Sequence, residues 1–266
     1  MFRKVLLLTV LSAAVAPAAV ATADTIQTIV DQVSQASYTD YLDNRLYTHD
    51  GDDRGFGPEH DLARTYIYDA FDSFGLSTSL DPFTYGADTY YNVVGVHSGA
   101  VNPDRTYIVG AHYDSVNNPG ADDNASGVAG VLEAARVLSQ YTFDATLIFI
   151  GFDREEQGLY GSRAYATAHA GDDIRGMISL DMIAYNPVGP NHDMAHIYYD
   201  DDILPPDPIP QITYDLADAI AGYSGGLSTE IARLSYEGSD HAPFADAGFE
   251  SALLIEYASW SNPHYH

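Results

Sequence analysis

The sequence predicts an α/β protein: a three-layer α/β/α sandwich around a mixed, largely parallel central sheet. Three observations carry this prediction. Short apolar runs rich in β-branched and aromatic residues alternate with segments whose apolar residues recur at helical spacing. Thr146–Phe152 is almost continuously apolar, the pattern of a strand covered on both faces. No repeat or linker interrupts residues 24–266, so one domain is expected there.

In chain order, Ile26, Ile29, Val30 and Val33 fall at helix spacing, and Leu62, Tyr66, Ala70 and Phe71 do so again after a polar insert, with Gly75 as the stop. Tyr90–His97 and Thr106–Ser115 read as strands joined by a Gly/Asn/Pro turn. Asn124–Ser139 reads as a helix leading to the Thr146 strand, Leu159–His169 as a short helix, and Met177–Tyr185 as a strand. The Pro/Asp/Asn-rich stretch Asn186–Pro210, with one short strand at Ala195–Tyr199, is expected to form the rim of a site or a lid. A helix at Pro210–Ala221, a strand at Gly226–Leu234, a helical turn at His241–Ala247 and a last strand at Ser251–Tyr257 complete the pattern.

The N-terminus reads as a secretory signal peptide over residues 1–23. Arg3 and Lys4 form a basic region, Val5–Val15 an apolar stretch too short to span a bilayer, and Ala19-Val20-Ala21 or Ala21-Thr22-Ala23 a cleavage site. The mature chain is therefore expected outside the cytoplasm, extracellular or periplasmic, as a monomer. The absence of cysteine leaves stability to the core and to metal. A net charge of −27, with Lys4 the only lysine, argues against nucleic acid and anionic membranes as partners.

Thr146–Phe152 breaks abruptly into Asp153, Arg154, Glu155 and Glu156. Ligands gather outside the carboxyl ends of strands in such sheets. Neighbouring side chains diverge, so one glutamate should hold something and the other move a proton. His112 and Asp114 stand two apart at a strand end, where Asp114 can fix the imidazole tautomer. In the loop Pro119–Gly127, either of the acids Asp122 and Asp123 could serve as a helix N-cap, but the small residues around them point instead to a tightly packed loop with one carboxylate turned inward. Asp181 lies in an apolar run, where an unpartnered carboxylate costs several kcal/mol. Arg175 or a cation could neutralise it, a cation more completely. Near the end stand Gly238-Ser239-Asp240-His241 and Asn262-Pro263-His264-Tyr265-His266. Nitrogen and carboxylate donors without thiolate suit zinc, with manganese and cobalt as alternatives. Three carboxylates and two neutral imidazoles around two divalent ions leave a charge of about +1, so two metals fit better than one.

The series HYDS, GADDNASG, DREEQGLYGS, SLDM, EGSDHAPF and NPHYH, from Tyr90 to the last residue, resembles the secreted di-zinc aminopeptidase family of the leucyl aminopeptidase and aminopeptidase S type. The resemblance implies a phosphorylase/hydrolase-like fold and removal of the first residue from peptides with a free N-terminus. It also implies two Zn2+ per chain, His112 and Asp181 on one, Glu156 and His266 on the other, and Asp123 bridging. By the same resemblance Glu155 is the general base, Asp114 supports His112, Asp240 and His241 form a neighbouring structural or rim motif, and Tyr236 or Tyr265 polarises the carbonyl, Tyr236 being preferred. Family members continue past the position of His266 through a turn and a final helix, so the chain reads as truncated there. A glutaminyl-cyclase-like transferase and a non-catalytic binding domain are the alternatives on this fold. The former resembles a one-zinc site, which the Asp123 bridge and paired glutamates oppose.

Overall fold

The computed structural model describes residues 23–46, 52–186, 189, 192–200, 209–234, 238–257 and 259–265. The expected cleaved segment up to residue 22, Tyr236 and His266 lie outside these residues. The strands are β1 (Ser77–Tyr85), β2 (Asp88–His97), β3 (Asn102–His112), β4 (Ala145–Phe152), β5 (Asp173–Asp181), β6 (Met194–Asp200), β7 (Ser228–Leu234) and β8 (Ser251–Glu256). They form one sheet in the order β1-β2-β4-β3-β5-β8-β6-β7. β3 is parallel to β4 and β5, β5 to β8, and β6 to β7, while β1/β2, β2/β4 and β6/β8 are antiparallel. The expected mixed, largely parallel sheet is therefore present.

Helices α1 (Ala23–Val30), α2 (Gln35–Tyr41), α3 (Pro58–Ser73), α4 (Gly127–Leu138) and α6 (Gln211–Tyr223) cover one face, and α5 (Tyr160–Ala168) and α7 (Ala242–Asp246) the other. β4 shows why its run is apolar throughout: Leu147 and Phe149 join the core on one face, Ile148, Ile150 and Phe152 the core on the other. Each such side chain contributes about 1.5–3 kcal/mol by leaving water. α3 starts where Pro58 needs no N–H partner and Glu59 and Asp61 face the positive end of the helix. It ends before Gly75, whose φ of 79° turns the chain into β1. Among the described residues no helix is long and apolar enough to cross a membrane.

The structure departs from expectation in four places. β1 was not anticipated; it is a mostly exposed edge strand containing Pro82, whose missing N–H is tolerated only there. β3 runs over Asn102–His112, not Thr106–Ser115, and β4 lies between it and β2. β5 begins at Asp173 and ends at Asp181, not at Tyr185, because Met182 turns at φ 46°. Within 186–210 the short strand expected at 195–199 is present as β6, but it is a sheet strand between β7 and β8 with Ala195 and Ile197 fully buried, not part of a rim or lid.

Candidate metal centre and active site

β4, β3 and β5 lie side by side and parallel, so their carboxyl ends open onto one place. His112 is the last residue of β3, Asp153–Glu156 follow β4, and Asp181 closes β5. The wide helical turn Ala121–Ser126 brings Asp123 to the same point before α4 begins. Gly127 permits that approach, since a Cβ there would lie 2.3 Å from the Leu180 carbonyl.

His112 is the hub. Its Nε2 stands 3.3 Å from Asp123 Oδ1, 3.6 Å from Asp181 Oδ1 and 3.9 Å from Glu155 Oε2. Two sets of donor atoms close enough to share a cation meet on it, His112/Glu155/Asp181 and His112/Asp123/Glu156. The glutamates thus diverge as expected, one into each set. Among the described residues, His112 Nε2 and Asp181 Oδ1 have no hydrogen-bond partner although both are buried. An imidazole nitrogen and several carboxylate oxygens without sulfur fit a divalent ion such as zinc.

Asp114 supports the hub in a different way from the one expected. The imidazole Nδ1 lies 3.1 Å from the Asp114 backbone carbonyl and 3.5 Å from its carboxylate. The carboxylate instead accepts the Glu155 N–H at 3.1 Å on Oδ1 and the Glu156 N–H at 3.2 Å on Oδ2, aiming both glutamates. Arg175, the alternative partner for Asp181, pairs with Asp173 at the surface, at the opposite end of β5. The Asp181 partner is the Ser239 hydroxyl, which donates to Oδ2 at 2.7 Å.

Several supports were not legible as site residues. Arg54 is fully buried and gives its guanidinium to the carbonyls of Leu46, Tyr113, Pro119 and Gly120, tying together the loops after β3 and before Asp123. Arg154, at φ 63°, lies 4.0 Å from the rings of both Phe56 and Tyr90 and donates to the Gly55 carbonyl, fixing the link between β4 and the glutamates. Asn124 donates to the Leu180 carbonyl at 2.9 Å, and Ser126 accepts the Ile183 N–H at 3.0 Å. Glu256, buried at the end of β8, carried the same signal that singled out Asp181, a carboxylate in an apolar run.

Burial would lower the His112 imidazole, but Glu155, Asp181 and contacts with Asp114 and Asp123 outweigh it and hold it well above the ordinary value. Burial raises Glu155 well above the carboxylate range, against the pull of His112, and raises Asp181 likewise. Asp240 and His241 are fully buried, as a structural motif would be and a rim would not. Burial pushes Asp240 up to about 7 and His241 down to about 4. So much enclosed negative charge asks for a cation. A pocket of about 270 Å³ opens on the centre, lined by Asp123, Glu155, Glu156 and Asp181 and by Leu159, Met182, Ile255 and Tyr265.

Residues 92–266 match the model of peptidase family M28. The leupeptin-inactivating enzyme 1 of Streptomyces exfoliatus is 34% identical over 202 residues, covering 74% of this chain and 42% of that protein. The solved aminopeptidase from Aneurinibacillus sp. strain AM-1 superposes with a TM-score of 0.71 at 20% identity over 87% of both chains, a likeness of fold. The zinc aminopeptidase of Bacillus subtilis is 30% identical, with a TM-score of 0.53 over 64% of this chain and 41% of that one. The chain thus spans under half the length of the first and third of these proteins.

Proposed function

The chain belongs to peptidase family M28, and from that premise we propose that it is a zinc-dependent aminopeptidase that removes the first residue of peptides. The observation that carries this reading is the convergence of Asp123, Asp181 and Glu155 within 3.3–3.9 Å of one imidazole nitrogen. His112, Asp181, Asp123, Glu156 and, by the family resemblance, His266 are the residues that would hold the zinc, two ions being the count their charges favour. Zinc bound there supplies Lewis acidity toward the scissile carbonyl and a nucleophile at neutral pH. The carboxylates lining the pocket, Asp123, Glu155, Glu156 and Asp181, favour a free α-amine beside the centre, which would place the first peptide bond for attack.

Glu155 takes the proton from the attacking water and returns it to the leaving amine. Asp114, through the two amide hydrogen bonds, holds Glu155 and Glu156 in their separate directions. We assign the carbonyl-polarising hydroxyl to Tyr265, which shares the pocket wall with Asp123, Glu155 and Asp181. Leu159, Met182 and Ile255 on that wall support an apolar first side chain. The basic, apolar and Ala-Val-Ala pattern of residues 3–21 supports export, and a mature N-terminus at Thr22 or Asp24 on sequencing would check it.

The test is hydrolysis of leucine p-nitroanilide with and without a chelator, alongside zinc content. Glu155→Gln should retain zinc and lose about 10²–10⁴-fold in kcat. Near-normal turnover in that variant would remove Glu155 from the role. Pyroglutamate formation from glutaminyl peptides would favour a cyclase, and zinc-free, inactive protein a binding domain.

A further inference from the structure

A knot of side chains beside the metal centre has no part in the chemistry above. β8 ends in Glu256, the chain makes the short turn Ser259–Ser261, and Asn262 then returns against two loops. Asn262 is buried, and its Nδ2 donates to Asp122 Oδ2 at 2.5 Å and to Glu256 Oε1 at 3.3 Å. Its Oδ1 accepts the His264 N–H at 2.9 Å, and its carbonyl the Tyr265 N–H at 3.2 Å. The remaining carboxyl oxygens reach the loop beyond Asp181: Asp122 Oδ1 accepts the Ala184 N–H at 2.9 Å and Glu256 Oε2 the Tyr185 N–H at 2.7 Å. Three segments close on these three side chains. One holds Asp123, one follows Asp181, and one holds Tyr265.

We infer that Glu256 and Asn262 are positioning residues for the proposed hydrolysis, fastening the turn that carries Tyr265 to the loops that carry Asp123 and Asp181. The inference rests on the aminopeptidase reading for its effect on rate, but on the hydrogen bonds alone for the fastening. No bond in the knot belongs to the sheet ladder, so its loss frees the turn while β8 keeps its pairing with β5 and β6. Burial, with Asp122 beside it, pushes the Glu256 carboxyl up to about 10, and the proton it keeps is donated to Asp122. Glutamine can give its NH2 to Asp122 and its amide oxygen to the Tyr185 N–H, losing only the 3.3 Å bond from Asn262.

The test combines kinetics with amide hydrogen exchange on the full chain carrying zinc. Glu256→Ala and Asn262→Ala should lower kcat by about 10- to 100-fold with little change in KM, while Glu256→Gln stays within about threefold of the parent. Exchange at Tyr185 should quicken in Glu256→Ala, and at His264 in Asn262→Ala, with strand amides unchanged. Asn262→Ala placed on Tyr265→Phe should add little further loss, because both act through one hydroxyl. Fully additive losses, an unaltered kcat in both alanine variants, or unaltered exchange beside a lowered kcat would each overturn the inference. Should Glu256→Ala fail to fold, Asn262→Ala and Glu256→Gln decide it. The exchange arm needs no substrate: an inactive parent refutes the aminopeptidase reading, whereas an active parent with unaltered exchange in the variants refutes the knot alone.

Discussion

At the scale of single residues, Asp114 orients the acidic turn after β4 through that turn's backbone. Each of its oxygens accepts one backbone N–H, from Glu155 and Glu156 respectively. Asparagine keeps the shape but replaces one acceptor by an NH2 donor facing an N–H, so one amide loses its bond and meets repulsion. Asp114→Asn should therefore lower both kcat and zinc affinity by about 10- to 100-fold, read by steady-state kinetics and competitive zinc titration. Equal zinc affinity and rate in that variant would show that Glu155 and Glu156 are aimed by something else. His112, Glu155, Glu156 and Asp181 were legible because each ends or breaks an apolar run, whereas the pattern left Asp122 and Asp123 open and only the family resemblance chose Asp123. Arg54 was not legible, for a physical reason. Its partners are backbone carbonyls of residues 46, 113, 119 and 120, and a carbonyl carries no mark of residue identity.

At the scale of elements, the path from packing to chemistry runs along β3 and β4. A Cβ on Gly110 in β3 would lie 2.3 Å from the ring of Phe152, the last residue of β4 before the acidic turn. Phe152 is fully buried and packs edge-on to Tyr165 and Phe244, so its ring has no room to retreat. Gly110→Ala should cost about 1–3 kcal/mol of stability. It should also lower kcat beyond the fraction unfolded, because the displaced strand end carries Glu155. Urea unfolding and kinetics on the same preparation check both, and an unaltered midpoint would mean that the ring moves freely. The buried strands β3, β4 and β8 were legible from their continuous apolar runs. β1 and β6 were not. β1 shows few buried positions because it lies at an edge, and the role of β6 depends on pairing with β7 and β8, far along the chain. Composition near 186–210 describes the flanks of β6 and is silent on those distant partners.

At the scale of the whole molecule, a net charge of −27 is joined by carboxyls enclosed in the fold, and together they set how stability responds to pH. In the metal-free protein, burial raises Glu155 and Asp181, lifts Asp240 to about 7 and Glu256 to about 10. Above pH 6.5 the unfolded chain has released these protons, while the folded chain still holds that of Glu256 and much of that of Asp240, and Glu155 and Asp181 keep theirs to higher pH than in the unfolded chain. The native state then binds more protons, and stability falls as pH rises until each folded-state value is passed. His241, lowered to about 4, is neutral in both states above about pH 6.5 and does not oppose the trend. Zinc displaces protons from its ligands, so the loaded protein no longer titrates Asp181 in this window. The expected outcome is a melting temperature that falls from pH 6.5 to 9 more steeply with chelator than with zinc. A residual slope in the zinc form should be reduced by Glu256→Gln, which carries no proton to lose. Parallel slopes with and without zinc would mean that the buried acids are neutralised by something other than metal.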